Sequence, residues 1–300
     1  MQLSPMGIGD ILDTAFRLFR RRFATFSAIA VVVCVPSAVA EALLTGAARL
    51  FTPRPEPDDD TGLWNVVLSS FPHRGWAAVS AVQHRLLPLF GSSQNVAATL
   101  LAMLASVVLL GLGLLIVFSI AYPLCTGALV VNISASYLGE SIGAGQSYAR
   151  AFRRLWRLLV AQGWSVLLVL LGLMLCIIPG IVLALQLLVV PQVVLLEDLK
   201  PWPAIGRSRA LMADYLGKAF LLSVVVWLFG AVVGSALGVA MHAIPWPLPI
   251  IGDFLSYFLL QMLMLPLSIA TLVLLYYDLR IRKEAFDLQH LASSMVEFRA

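Results

Sequence analysis

The sequence has few charged residues, few cysteines and few histidines for its length. Only 12% of the 300 residues are charged and 60% are hydrophobic, whereas a soluble domain is about half apolar and roughly a quarter charged. The scarcity of charge excludes an ordinary soluble domain and indicates a polytopic membrane protein. The net charge is +4, but the basic residues form no single block, so we expect no nucleic-acid binding.

The cysteines and histidines do not form a metal or redox motif. Cys34, Cys125 and Cys176 all lie in apolar segments, where a cysteine behaves as a small buried hydrophobic side chain. His73 and His84 have no third ligand nearby, and no CxxC pair occurs. We therefore expect no disulfide, no metal ion and no cofactor.

Ionisable side chains are nearly missing from the long apolar segments. These segments carry amides instead, at Asn132, Gln162, Gln186, Gln192 and Gln261. Amides can bind and orient a ligand but are poor proton-transfer groups, so we expect that the protein is not an enzyme. Ion-coupled transport usually leaves acidic or basic groups inside the membrane, and the same scarcity argues against it.

An amphipathic basic segment occurs three times in the chain. The copies are Asp10–Phe26, Ser147–Gln162 and Ala204–Phe220, and each precedes two apolar segments separated by a turn. About 20 apolar residues in a helix are enough to cross a bilayer. We therefore expect an all-α fold, a polytopic membrane bundle of six transmembrane helices. They form three helical hairpins, each preceded by a cytoplasmic amphipathic helix in the membrane interface.

We expect a single membrane domain over residues 1–300. Its parts are three repeat units over about residues 8–137, 140–198 and 201–279, an external insert over about 51–95, and a cytoplasmic C-terminal helix over about 278–300. Pro179 and Gly180 predict the turn of the second hairpin. In the third amphipathic segment, Asp214 and Lys218 stand four residues apart and predict an ion pair along one helix.

The amphipathic segments place arginines opposite apolar residues. Ile11, Ala15 and Phe19 recur at helical spacing in the first segment. In the second, an apolar face of Tyr148, Phe152, Leu155 and Leu159 lies opposite the arginines. Because arginine can donate two parallel hydrogen bonds to a phosphate, we predict contacts to anionic lipids at Arg17, Arg20, Arg21, Arg150, Arg153, Arg154 and Arg157. The alternative, that these arginines only set the topology, stays open.

The basic residues also predict the orientation in the membrane. All of the 20 lysines and arginines flank one side of the predicted spans, except Arg49, Arg54, Arg74 and Arg85 in the first external region. By the positive-inside rule, that side is cytoplasmic. We expect a multi-pass protein of the bacterial cytoplasmic (inner) membrane with both termini in the cytoplasm. No cleaved signal peptide is expected, because the N-terminal pattern recurs inside the chain.

Glycines and prolines predict how the spans pack. Gly230, Gly234 and Gly238 stand four residues apart in the fifth predicted span, and such a stripe lets a second helix backbone approach closely. We expect this contact within the chain, with self-association as the alternative. Prolines inside predicted spans remove a backbone hydrogen bond and kink a helix; they are Pro36, Pro123, Pro191 and Pro266.

Three segments carry a family resemblance. They are GIGDILDTAFRLFRRRF, VVPQVVLLEDLKPWPAIGRSRAL and LLYYDLRIRKEAFDL, and they resemble the bacterial glycerophosphoryl diester phosphodiesterase membrane domain family over most of the chain outside about residues 51–95. In the members that give the family its name, a separate soluble barrel carries the phosphodiesterase chemistry. The resemblance implies the membrane part only, because no barrel follows Ala300 in this sequence.

The function that we expect is an interaction, regulatory or scaffold subunit in the inner membrane. Its partners are membrane lipids and either another protein or a second copy of the chain; nucleic acid is not expected. The alternative is a transporter of small molecules or lipids, or another lipid-handling protein. This alternative stays open because inward amides and proline-bent helices could line a small polar cavity.

Overall fold

The computed structural model describes residues 6–51, 119–244 and 249–297, and side chains for residues 6–42, 119–241, 243–244 and 250–283. Every element in these residues is a helix, which confirms the predicted all-α class. The helices are α1 (Ile8–Arg21), α2 (Phe23–Phe51), α3 (Ser119–Tyr137), α4 (Ala144–Arg153), α5 (Leu155–Leu175), α6 (Ile177–Gln186), α7 (Val190–Leu196), α8 (Pro201–Met212), α9 (Leu216–His242) and α10 (Pro249–Glu297). The predicted external insert lies outside the described residues.

Six helical segments among the described residues are long and apolar enough to cross a membrane, as predicted. They are Phe23–Ala42, Ser119–Tyr137, Leu155–Leu175, Ile177–Leu196, Leu216–Met241 and Ile250–Lys283. A helix that is apolar on all sides has to be covered by protein or by lipid. Many apolar side chains of α5 and α9 are exposed, as expected for helices that face lipid.

The chain divides into two compact units. The first comprises Met1–Ala30, Tyr122–Val226 and Leu265–Ala300, and the second comprises Val31–Ala121 and Trp227–Met264. Every ion pair described below lies in the first unit. The second unit contains the glycine stripe of α9. The division into three repeat units stays a prediction.

α1 has the amphipathic character that its sequence predicts. Its start is capped by Asp10, whose Oδ2 accepts the backbone N–H of Gly7 at 2.9 Å, and an acidic side chain is favourable at that end of the helix dipole. Ile11, Ala15 and Phe19 are buried in the first unit. The apolar stripe of α1 therefore packs against protein.

The turn between α5 and α6 is shorter than the predicted five-residue connection over residues 176–180 and lies at its first residue. Cys176 alone is extended between the two helices, and Pro179 lies in the first turn of α6. A proline is tolerated there because the first N–H groups of a helix have no partner within it. The close approach is made possible by Gly172 and Gly180: a Cβ on Gly172 would lie 3.1 Å from the Cα of Gly180.

The helix after this turn is interrupted before it reaches the end of the span. α6 ends at Gln186 and α7 begins at Val190, with Pro191 in the first turn of α7. The predicted kink at Pro191 is therefore a break between two helices. α7 ends at Leu196 with Glu197 as its C-cap, and the next residue, Asp198, has a φ of 56°.

Two other helix boundaries differ from the sequence predictions. α8 ends at Met212 and α9 begins at Leu216, so Asp214 and Lys218 do not lie on one helix. Their predicted ion pair is wrong: Asp214 pairs with Lys283 at 2.8 Å, and Lys218 pairs with Asp278. α10 continues without interruption to Glu297, so the predicted C-terminal helix is the end of α10.

The packing at the α5–α6 turn gives a first prediction. In Gly180→Ala, the new Cβ would lie 2.8 Å from the backbone Cα of Leu173, and the backbone cannot move aside easily. We expect a loss of about 1–3 kcal/mol in the free energy of unfolding, as for other overpacked sites. The measurement is thermal unfolding of the purified protein in detergent.

Gly163→Ala is the matched control for Gly180→Ala. Like Gly180 of α6, Gly163 lies within a helix, here α5, but no described atom lies within 4 Å of its would-be Cβ. Alanine is favoured over glycine in a helix by up to about 1 kcal/mol, so this variant should unfold at the same or a higher temperature. Equal unfolding temperatures for the two variants would contradict the close contact.

Candidate functional site

Asp278 of α10 is a buried carboxylate that binds the N-terminal segment. Its side chain has 0% exposure. Its Oδ1 accepts the backbone N–H of Met6 at 2.7 Å, and both its oxygens accept Arg282 Nε at 3.0–3.1 Å. Lys218, at the start of α9, forms a further ion pair with it. We call Asp278, Lys218, Arg282 and the main chain of Met6 the Asp278 cluster.

The main-chain carbonyl of Met6 supplies a second acceptor for the two cations of the Asp278 cluster. Two cations share one carboxylate, and the Met6 carbonyl accepts Lys218 Nζ at 2.7 Å and Arg282 Nη2 at 2.9 Å. The guanidinium of Arg282 also lies 5.9 Å from the ring centroid of Tyr215, within the range of a cation–π contact. The carboxylate thus has three donors, from the Met6 main chain, Lys218 and Arg282, and this arrangement suits a structural role.

A second acidic residue joins three helices at the end of α7. Glu197 Oε1 accepts the hydroxyl of Tyr276 at 2.8 Å, and its Oε2 accepts Arg207 Nε at 3.2 Å. Tyr276 of α10 is fully buried, and Arg207 lies on α8. These contacts hold α7, α8 and α10 together.

Asp198 binds two of the arginines that we predicted as lipid contacts. Its Oδ1 lies 2.8 Å from Arg154 Nε and 2.9 Å from Arg157 Nη1. Arg154 Nη1 also donates to the carbonyl of Leu195 at 2.7 Å. The last carbonyls of a helix have no partner within it, so Arg154 caps α7 while Asp198 holds both guanidinium groups.

The remaining five arginines of the predicted lipid set are exposed. Arg17 forms an ion pair with Asp13 at 3.0 Å, in which both side chains are more than 60% exposed. The other four are Arg20, Arg21, Arg150 and Arg153. Exposed ion pairs contribute little to stability, so these five side chains have no strong structural role in the described part of the chain.

The predicted apolar face of the second amphipathic segment is not buried as a whole: Phe152 is exposed, and Tyr148, Leu155 and Leu159 are half-buried. Phe152 is 65% exposed and Trp156 is 76% exposed, whereas Ser147 and Ala151 are buried. The reason is the neighbouring helix α3: Ala151 lies 3.4 Å from the would-be Cβ of Gly127. Small residues face α3 because it packs so closely, and the large aromatic residues turn outward.

These exposed residues form one surface, which we call the α4 surface: Arg150, Phe152, Arg153 and Trp156. It lies at the junction between α4 and the start of the membrane-length helix α5. Aromatic rings and long basic side chains are the usual anchors at the boundary between lipid and water.

The three glycines of α9 are not equivalent. A Cβ on Gly230 would lie 3.1 Å from Met264 Cε, and one on Gly234 would lie 3.0 Å from Leu260 Cδ2. Both partners belong to α10, so the close approach is within the chain and the two helices run antiparallel. No described atom lies within 4 Å of the corresponding position at Gly238.

Of the four predicted kink prolines, the three other than Pro191 lie inside helices, and each is followed by a hydroxyl that bonds to the backbone. Thr126 donates to the carbonyl of Pro123 at 3.1 Å, Ser37 to that of Cys34 at 3.0 Å, and Ser268 to that of Leu265 at 3.1 Å. These follow Pro123, Pro36 and Pro266. Local hydroxyl groups are a known way of adapting a membrane helix to proline.

The amides of the spans differ in how well they are satisfied. Gln261 donates to the hydroxyl of Tyr257 at 2.8 Å, and Gln186 accepts Arg209 Nε at 3.3 Å. Asn132 donates to the carbonyl of Ile142 at 3.1 Å and to Ser147 Oγ at 2.7 Å. Three buried amide oxygens have no hydrogen-bond donor among the described residues: those of Asn132, Gln162 and Gln192.

The described residues contain no group of three or more His, Cys, Asp or Glu that could hold a metal ion. Cys34 and Cys125 are buried, and Cys176 is exposed at the α5–α6 turn. His73 and His84 lie outside the described residues.

Sequence reasoning missed the acidic residues that organise the first unit. It singled out none of Asp278, Glu197 and Asp198. A local signal for Asp278 existed, because Arg282 follows it by four residues, the spacing of a helical ion pair. Asp253 is a further buried acidic residue, within α10.

The fold and these clusters define the class: an all-α, multi-pass membrane protein whose acidic residues join helix ends. Comparisons of the chain with protein-family models, with curated proteins and with solved structures found no match.

The Asp278 cluster gives a second prediction. In Asp278→Asn, two cations lose their counter-charge, and breaking a buried ion pair in this way costs about 3–5 kcal/mol. We expect the lower end of this range, because Lys218 and Arg282 are partly exposed. The measurement is the unfolding temperature in detergent.

Asp214→Asn is the control for Asp278→Asn. Asp214 also pairs with a lysine, but its side chain is 72% exposed. An exposed pair contributes less than about 1 kcal/mol, so the unfolding temperature should stay nearly unchanged. If both variants were as stable as the parent, Asp278 would not organise the first unit.

The glycine stripe gives a third prediction. In Gly234→Leu, a large side chain would enter the contact with Leu260, at a cost of about 1–3 kcal/mol. Gly238→Leu places the same side chain one turn further along α9, where the would-be Cβ meets no described atom within 4 Å. Thermal unfolding in detergent should separate the two variants. Equal losses of thermal stability would mean that α10 does not pack more closely against Gly234 than against Gly238.

Proposed function

We propose that this chain is an interaction, regulatory or scaffold subunit of the bacterial inner membrane, with both termini in the cytoplasm. The observation that carries the proposal is the joining of helix ends by Asp278, Glu197 and Asp198. These three acidic groups take part in packing contacts, so they are not free for catalysis or for ion coupling. The orientation follows from the excess of basic residues at these helix ends.

The α4 surface supports a role in binding anionic lipid. Arginines 150 and 153 lie in it beside two exposed aromatic rings, and arginines 20 and 21 of α1 are exposed as well. Each basic residue near an anionic membrane surface contributes about 1 kcal/mol to binding. Arg154 and Arg157, by contrast, pair with Asp198, although the Arg157 side chain is itself 45% exposed. We therefore assign the lipid contacts to the exposed arginines that have no described carboxylate partner and treat these two as structural.

We also propose that the chain is related to the membrane part of the glycerophosphoryl diester phosphodiesterase membrane domain family. The support is the sequence resemblance alone. Asp278 and Glu197 lie within the quoted segments, so these segments contribute ion pairs between helices in this chain.

The second candidate function is the handling of a lipid or another small molecule. The observation that favours it is the set of buried amide oxygens without donors, at Asn132, Gln162 and Gln192. Unsatisfied buried acceptors are rare in proteins, and several together inside a membrane bundle are consistent with a polar binding site.

Native mass spectrometry of the protein purified in mild detergent tests the proposal. It reports retained lipids and stoichiometric protein partners in the same spectra. We substitute the four exposed arginines (Arg20, Arg21, Arg150 and Arg153) by lysine, which keeps the charge and removes the bidentate geometry. The expected result is less retained anionic lipid than in the parent, and a protein partner or second copy in fixed stoichiometry with the parent.

Arg154→Lys with Arg157→Lys is the matched control, because these arginines are bound to Asp198. This variant should retain as much anionic lipid as the parent. Cysteine labelling should place Asp58 and Trp246 outside and Arg207 and Lys283 inside in every variant. Equal lipid retention with intact topology would reduce the exposed arginines to orientation signals, and a chain that purifies alone as a monomer would contradict the subunit role.

A further inference from the structure

Gln162 of α5 and Gln192 of α7 lie at the same level of an antiparallel helix pair. At one end of the pair, Arg154 donates to the carbonyl of Leu195. At the other end, Gly172 lies against Gly180. The residue numbers of facing positions therefore add up to nearly the same value along the whole pair, and Gln162 falls opposite Gln192.

The two glutamines also lie on the faces that meet α3. Leu158 and Leu195 both lie within 3.4 Å of the would-be Cβ of Gly127 in α3. Gln162 follows Leu158 by four residues and Gln192 precedes Leu195 by three, which are same-face spacings in a helix. Both amides therefore lie about one helical turn, roughly 5 Å, further along the same junction of three helices.

The third helix provides a proline at this level. α3 runs antiparallel to α4 and α5, since Asn132 contacts Ser147 while Gly127 approaches Ala151 and Leu158. Moving along α5 from Leu158 to Gln162 therefore corresponds to moving back along α3 from Gly127 to Pro123. Proline has no backbone N–H, so Pro123 itself offers no hydrogen-bond donor to the glutamine oxygens.

The two amide oxygens lie at the same level of the junction, and neither has a hydrogen-bond donor among the described residues. Gln192 is 2% exposed, and the Oε1 atoms of both glutamines are buried and have no hydrogen-bond partner among the described residues. Leaving a buried acceptor unsatisfied is unfavourable. Two such acceptors at one junction are better explained by a shared partner than by two separate defects.

We propose that Gln162 and Gln192 form a binding site inside the membrane for a molecule that donates two hydrogen bonds. The chemical class is a water molecule, or a hydroxyl or ammonium group of a small molecule or lipid. With the amides oriented as in this structure, carboxylates and phosphates do not fit, because they would place acceptors against the Oε1 acceptors. This site differs from the α4 surface, which selects anions, and it does not depend on the subunit role proposed above.

A structure of the full-length protein in lipid nanodiscs, bound to an antibody fragment to increase its size, tests the site. The expected result is density within hydrogen-bonding distance, about 2.7–3.2 Å, of both Oε1 atoms. In the double variant Gln162→Leu, Gln192→Leu, which keeps side chains of similar size, this density should be lost completely. Native mass spectrometry of the parent separates the sources: a bound mass that the double variant loses identifies a small molecule or lipid, and density without a bound mass identifies water.

Gln261→Leu is the control, because the amide of Gln261 already has the hydroxyl of Tyr257 as its partner. It should leave the density between Gln162 and Gln192 unchanged. The proposal would be overturned if one amide were rotated so that the two amides form a direct hydrogen bond. It would also be overturned if the map showed no density between the two Oε1 atoms. If the double variant fails to fold, Gln192→Met alone should still reduce the occupancy.

Discussion

The carboxylate of Asp278 is the interaction on which the first unit depends. It joins the start of α9, the late part of α10 and the segment before α1, which are far apart in the sequence. A buried charge is tolerated only when it is paired and hydrogen-bonded, and here each carboxylate oxygen has donors. Because both cations also bind the Met6 carbonyl, the N-terminal main chain is an integral part of the cluster.

The arginines of the chain have two different roles that look alike in the sequence. Arg154 and Arg157 bind Asp198 at the end of α7, while arginines 150 and 153, on the same short segment, are exposed. The difference arises from helix phase: α4 turns its small residues toward Gly127 of α3, and this rotation decides which arginines reach Asp198. The same rotation exposes Phe152 and Trp156 beside the free guanidinium groups.

Close helix packing determines where polar groups can lie inside the spans. Glycine contacts bring α5 against α6 and α9 against α10, and they leave little room for large or polar side chains. Gln261 and Gln186 find partners on neighbouring residues, whereas the Oε1 atoms of Gln162 and Gln192 are buried and have no donor among the described residues. An amide pair in such a place binds a donor group more readily than it transfers a proton.

Sequence alone determined the all-α class, the six membrane-length helices and the apolar stripe of α1, because these follow from composition and helical periodicity, which are local properties. It also pointed to the glycines of α9, since residues four apart lie on the same face of a helix. Only the tertiary structure decided that Asp214 and Lys218 have different partners and that Asp278 is buried. Only the tertiary structure placed Gln162 level with Gln192. These contacts join segments that are distant in the chain, and their partners depend on helix phase and on breaks such as the one before α9, which no local pattern encodes.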